Sequence, residues 1–195
     1  MAEPKGPQPV KLLVGILCGA QEDVDWAKGR LEEEFGPIDY ASPVFAFQLT
    51  DYYEEEMGPN LKRAFFSFLH LIDPGELASI KLTTNRLEQE RTEGGRRRVN
   101  LDPGYMDFYK IVLASGKPSG QKIYLGQGIY ADLALYYDRG WKPYDWGFPD
   151  FRRGVYNQIF THVRGIYKRQ CRELRHRSEE MGPERSHHVP VKEEG

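Results

Sequence analysis

The order in which apolar and amphipathic stretches follow one another in the first hundred residues constrains this chain most. Val10 to Cys18 (VKLLVGILC) is a short apolar run ending at Gly19, and its length and valine content predict a buried central strand. Glu22 to Phe35 carries Val24, Ala27, Leu31 and Phe35 at helical spacing with acids along the other face, and Gly36-Pro37 ends it. Ile38 to Leu49 has strand chemistry in its second half, Val44 to Phe47, with Pro43 marking an interruption or an edge. Lys62 to Ile72 (KRAFFSFLHLI) is the next strand, apolar on both faces. Asp73-Pro74 then opens a helix, with Asp as N-cap and Pro at the first helical position. Leu77, Ile80, Thr84 and Leu87 give that helix one buried face, and Gly94-Gly95 is read as its stop. Arg97 to Leu101 reads as the following strand, after which Pro103-Gly104 turns the chain.

Written as elements this is β-α-β-β-α-β. The order predicts an α+β fold of the ferredoxin-like kind, an antiparallel sheet with two helices on one face. Phe108 to Ala114 fits either a helix or a strand. Lys122 to Tyr137 is strand-rich and crossed by Gly126 and Gly128; Asp138-Arg139-Gly140 makes a hairpin turn, and Trp141 to Trp146 returns antiparallel. Pro149-Asp150 leads into a last helix with Phe151, Val155, Ile159, Phe160, Val163, Ile166 and Tyr167 on one stripe. This C-terminal hairpin and helix extend the core. The expected organisation is a disordered leader over 1–9, a single α+β domain over 10–175 and a disordered tail over 176–195.

Charge and cysteine usage narrow the function classes. A net charge of −2 gives no general reason to expect nucleic acid or an anionic membrane as partner. No apolar run approaches the ~20 residues needed to cross a bilayer. Cys18 and Cys171 are isolated, which makes neither a disulfide framework nor a metal knuckle, and both are expected to be reduced thiols of a cytoplasmic protein.

Chemistry concentrates in Arg96 to Tyr105 (RRRVNLDPGY), where three guanidinium groups, an amide, a carboxylate and a phenol are held by two aliphatic side chains. On a strand, residues two apart share a face, so Asn100 and Asp102 project together, with Arg98 beside them. One reading makes Asp102 a general base or ligand-holding carboxylate, oriented by Asn100. The other makes Asp-Pro-Gly a plain reverse turn in which Asp bonds its own backbone and Gly takes a positive φ. Several of Lys62, Arg63, Lys81, Arg96, Arg97, Arg98 and Lys110 can converge on a small anion if the sheet forms as expected, and Tyr105 belongs to the same candidate pocket. Otherwise they are solvated charges in ordinary ion pairs.

Other constellations are thinner. Asp51 with Glu54, Glu55 and Glu56 offers oxygen ligands without a fixed spacing, so no metal is assigned. Gly126-Gln127-Gly128 lacks both the P-loop and the full dinucleotide pattern, which leaves close backbone approach to a ligand or a bulge in a twisted strand. The five histidines show no zinc spacing.

VKLLVGIL, TDYYEEEMG, LKRAFFSF, the helix IKL-x-TN-x-LE, RRRVNLDPGY and YLGQGIYAD together resemble a bacterial family known as domain of unknown function 4416. The resemblance covers about residues 10–172. It implies no activity and names no cofactor. Where it implies Thr, Lys, an aromatic and a basic residue, this chain reads SGKPSGQ, from Ser115 to Gln121.

Two functions follow as expectations. The first is binding of a small anionic ligand such as a nucleotide or phosphorylated metabolite, with Asp102, Asn100, Lys110 and Asp51 lining one cleft. The second is a non-catalytic interaction or dimerisation module that uses the sheet and the aromatic hairpin Tyr136 to Trp146. No residue pattern sets the oligomeric state.

Overall fold

The computed structural model describes residues 3–47 and 54–181. In chain order its elements are β1 (Val10–Cys18), α1 (Gln21–Phe35), β2 (Ile38–Ala41), β3 (Phe45–Ala46), α2 (Glu54–Met57), β4 (Lys62–Ile72) and, after a 3-10 turn, α3 (Leu77–Glu90). Then come β5 (Thr92–Glu93), β6 (Arg96–Arg97), β7 (Val99–Met106), β8 (Lys110–Ser115), β9 (Ile123–Gly126), β10 (Ile129–Tyr137), β11 (Trp141–Pro143), α4 (Pro149–Arg152) and α5 (Asn157–Met181).

The fold is α+β. Among the described residues one nine-stranded sheet runs β11-β10-β8-β7-β1-β4-β2, with β3 also on β4 and β9 also on β10. Every strand pairing is antiparallel. All nine residues of β1 are buried, as a strand with both faces covered must be. Leu12, Val14 and Ile16 face α1 and α3, packing on Val24, Leu31, Ile80 and Leu87. Leu13 and Phe65 face the opposite way, onto Phe151 and Tyr156 and onto Phe160 and Val163 of α5. The last helix therefore covers the second face of the sheet.

Several sequence expectations change. Pro43 does split its strand, leaving β2 and β3. Asp73 caps the turn before α3, accepting from the Gly75 amide, and Glu76 completes a capping box. Gly94-Gly95 does not stop α3, which ends at Glu90; both glycines, at φ 57° and 79°, form the turn of the β5–β6 hairpin. The ambiguous stretch Phe108 to Ala114 resolves as a turn at Phe108 and Tyr109 followed by strand β8. The glycines Gly126 and Gly128 divide the expected long strand into β9 and β10. α5 continues past Arg175 to Met181.

The largest correction concerns Asp102-Pro103-Gly104, which is not a turn. It lies inside β7, paired along its whole length with β1 and with β8 from Gly104 onward. Local turn chemistry yields here to pairing on both sides. Gly104 is needed because β8 approaches closely: a Cβ there would stand 2.4 Å from the Val112 carbonyl oxygen and 2.7 Å from Leu113 Cδ2. Gly104→Ala is expected to lower stability by about 3 kcal/mol, the upper end for an overpacked site, in urea denaturation. An unchanged midpoint would mean that β8 can simply move away.

Candidate functional site

The polar stretch of β7 meets β4 across β1. Asn100 stands opposite Leu17 and Asp102 opposite Gly15, and Gly15 is also opposite Phe65 of β4. Gly15 carries no side chain, and Arg63 uses the space. Its Nη1 passes 3.3 Å from where a Gly15 Cβ would be and donates to Asp102 Oδ2 at 3.0 Å. On its other side Nη2 lies 3.8 Å from Asp150 Oδ2 of α4, and that oxygen accepts from the Tyr156 hydroxyl at 2.9 Å. The guanidinium also stands 5.0 Å from the centre of the Phe47 ring and 5.8 Å from that of Phe65.

Burial pulls the Arg63 pKa down, but Asp102, Tyr156 and Asp150 outweigh it and keep the pKa above the ordinary value. Asp102 shows the mirror image. Burial pushes its pKa up, and Arg63 and Lys81 pull it below the usual carboxylate range. The Asp102 side chain remains 30% exposed, so the pair has a solvent-facing side. Two buried donors beside it, Arg63 Nε and Asn100 Nδ2, make no hydrogen bond of good geometry among the described residues, although Asn100 lies close enough to Asp102 to help hold its carboxylate charged. Unpartnered buried donors cost stability, and natural proteins keep few of them.

The far side of β7 is finished by α3. β8 pairs only with Gly104 to Met106, so Leu101 has no strand neighbour there. Glu88 Oε1 instead accepts from the Leu101 amide at 2.7 Å, and Lys81 Nζ donates to the Leu101 carbonyl at 2.8 Å. Two helix side chains thus stand in for a strand. Arg97 ties this arrangement to the site, donating to Glu88 at 2.6 Å, to Asn100 Oδ1 at 3.0 Å and to both oxygens of Glu56 at 2.6 and 2.8 Å.

Of the residues singled out from the sequence, the structure brings Arg63, Asn100, Asp102 and Lys81 together. It places the others apart. Arg98 precedes β7 and turns to the start of α1, bonding Glu22, Asp23 at 3.1 Å and Glu93 at 3.0 Å. Lys62, half-buried on β4 opposite Cys18, has no ion pair among the described residues. Lys110 pairs with Asp107. Asp107 directly follows β7, five residues from Asp102, about 16 Å at ordinary strand rise. Tyr105 lies at that same end, opposite Leu12. Gly126 and Gly128, at φ 102° and 77°, form the tip of the β9–β10 hairpin. Asp51 lies outside the described residues. The single cleft of Asn100, Asp102, Lys110 and Asp51 is therefore not formed by Lys110, which sits at the other end of the sheet.

The sequence reading missed Asp150, Tyr156, Glu88 and Gly15. Asp150 looked like a helix-starting acid, and a glycine in an apolar strand was the one available sign of close approach. Among the described residues no group of three or more His, Cys, Asp or Glu side chains is placed to hold a metal ion. None of their helices is long and apolar enough to cross a membrane.

A family model described as Domain of unknown function (DUF4416) matches residues 8–167. No curated protein and no solved structure matches the chain.

Proposed function

We propose, for a chain that belongs to the DUF4416 family over residues 8–167, that it binds a small anionic ligand at the Arg63–Asn100–Asp102 surface. The observation that carries this reading is Arg63 Nε, a buried donor with no partner among the described residues, with the loosely held Asn100 Nδ2 beside it and a partly exposed carboxylate next to both. Donors without acceptors favour a phosphate or carboxylate oxygen. Asp102, with its pKa held down, stays charged at neutral pH, which makes it a poor proton acceptor and a good partner for a ligand hydroxyl. A ligand that offers both an anionic group and hydroxyls suits the surface, as a nucleotide or sugar phosphate does. Asn100 and Arg63 Nε then hydrogen-bond the anionic group, Asp102 accepts from a ligand hydroxyl, and Lys81 and Arg97 hold the strand edge in place.

The corresponding fold reading is ferredoxin-like. The inner order β7-β1-β4-β2 with α1 and α3 on one face is what a split βαβ arrangement requires, with β8 to β11 added along one edge. The free thiols Cys18 and Cys171 fit a cytoplasmic setting.

Thermal-shift titration of wild type, Asn100→Ala and Asp102→Asn with nucleotides and sugar phosphates tests the proposal. One ligand class should raise the wild-type melting temperature, and each variant should weaken it about tenfold or more, the worth of one charged hydrogen bond. Equal shifts in all three proteins, or none from the whole panel, would remove the site.

A second reading has its own observation. Tyr136, Trp146 and Phe148 are 37, 51 and 43% exposed, and Tyr144 stacks on Trp146 at 4.9 Å. Such a ring-rich patch suits a protein interface. Light scattering on a size-exclusion column checks it for self-association; a strict monomer argues against the dimerisation form.

A further inference from the structure

At the end of β7 remote from Asp102 lies a cavity of about 220 Å³. It is bounded by the segment before β1, the Asp107–Lys110 turn and Tyr167 of α5. Its size is about seven water volumes, below the range of drug-sized pockets, so its occupant has room for one ring and one polar group. The walls are largely rings: Pro7, Pro74, Tyr105, Phe108, Tyr109 and Tyr167.

The polar groups facing this space are unequal. Asp107 is fully used: Oδ1 accepts from the Tyr109 and Lys110 amides at 2.7 and 2.8 Å, and Oδ2 holds the Lys110 ammonium. The Tyr167 hydroxyl donates to the Pro9 carbonyl at 2.9 Å. Two donors remain. Lys110, 38% exposed, has further ammonium protons beyond the one on Asp107. The half-buried Tyr105 hydroxyl makes no hydrogen bond among the described residues. Tyr109 stands at the rim, 72% exposed, with a large apolar surface left in water.

Donors without free acceptors select an anion. Asp107 already balances Lys110, so the site supplies little surplus positive charge; a monoanion is served better than a phosphate dianion. The ring walls select a flat apolar body. We infer that this cavity is a second, separate binding site, which takes a small aromatic carboxylate. The carboxylate bonds Lys110 Nζ and the Tyr105 hydroxyl, while the ring lies among Phe108, Tyr109 and Tyr167.

Calorimetric titration of the full chain with benzoate and phenylacetate, against acetate and benzyl alcohol, tests this. The two aromatic acids should bind, and acetate and benzyl alcohol should each bind about tenfold or more weakly. Lys110→Met should abolish the preference for benzoate over benzyl alcohol. Tyr105→Phe, which removes one oxygen and leaves the ring packing, should weaken benzoate alone. Asp102→Asn should bind benzoate as wild type does, which separates this site from the Arg63 surface. Benzyl alcohol binding as tightly as benzoate, benzoate binding unchanged in both Lys110→Met and Tyr105→Phe, or no binding by either acid would each overturn the assignment.

Discussion

Arg63→Leu should lower the unfolding free energy by about 3–5 kcal/mol, the range for removing one partner of a buried ion pair. Arg63 is 5% exposed, and its two terminal guanidinium nitrogens face two carboxylates, Asp102 and Asp150. Leucine fills part of the volume and supplies no charge, so Asp150, itself buried, keeps only the Tyr156 hydroxyl among the described residues. The double variant Arg63→Leu/Asp150→Asn should recover part of the loss, because it removes the stranded charge. A loss below about 1 kcal/mol in guanidinium denaturation would mean that water reaches these carboxylates, and the site description would fail.

The same pair has a pH signature. Asp102 has a folded pKa below its unfolded value near 3.9, so its contribution is fully present above that value. It is lost as the pH falls through the folded pKa. The stability gap between wild type and Asp102→Asn should therefore be constant from neutral pH to about pH 5 and close below about pH 4. A gap that persists in acid would show that Asp102 acts through packing alone.

Lys11→Met is the second large effect, also about 3–5 kcal/mol. Lys11 is fully buried on the face of β1 that α5 covers. Its ammonium bonds Asp39, the Phe68 carbonyl at 2.6 Å and Gln170 Oε1 at 2.8 Å, so each of its three protons has a partner. Asp39 accepts in addition from Ser67 at 2.6 Å, and Gln170 donates to the Leu69 carbonyl at 2.7 Å. The network ties α5 to β1, β2 and β4. Burial lowers the Lys11 pKa even though Asp39 raises it, so the charge is held at a cost. Methionine alone strands Asp39, whereas Lys11→Met/Asp39→Leu should return close to wild type in thermal unfolding. If the double variant is as unstable as the single one, the network supplies net stability.

Much of the architecture was legible in the residues. The nine-residue run of β1, the eleven of β4 and the capped helix α3 each announce themselves by local pattern. Asn100 and Asp102 were found because polar side chains two apart on a strand share a face. Their partners were not. Arg63 and Asp102 are 39 positions apart, and nothing in the residues around either fixes the register that brings them to 3.0 Å. Asp-Pro-Gly was misread because turn propensity is a local preference, and the β1 and β8 ladders override it. Lys11 was a missed sign: a lone lysine inside an apolar run announces either a strand end or a buried charge.

Sequence alone determined where β1, α1, β4 and the start of α3 lie, since hydrophobic periodicity and capping are carried by residues that are neighbours in the chain. Only the tertiary structure decided which charges meet. Ion pairs depend on distances of a few ångströms, and those are set by sheet register, by a missing side chain at Gly15 and by the helix that closes the edge of β7. Arg98 and Arg63 look alike in the sequence; one pairs with acids at the start of α1, and the other crosses β1 to Asp102.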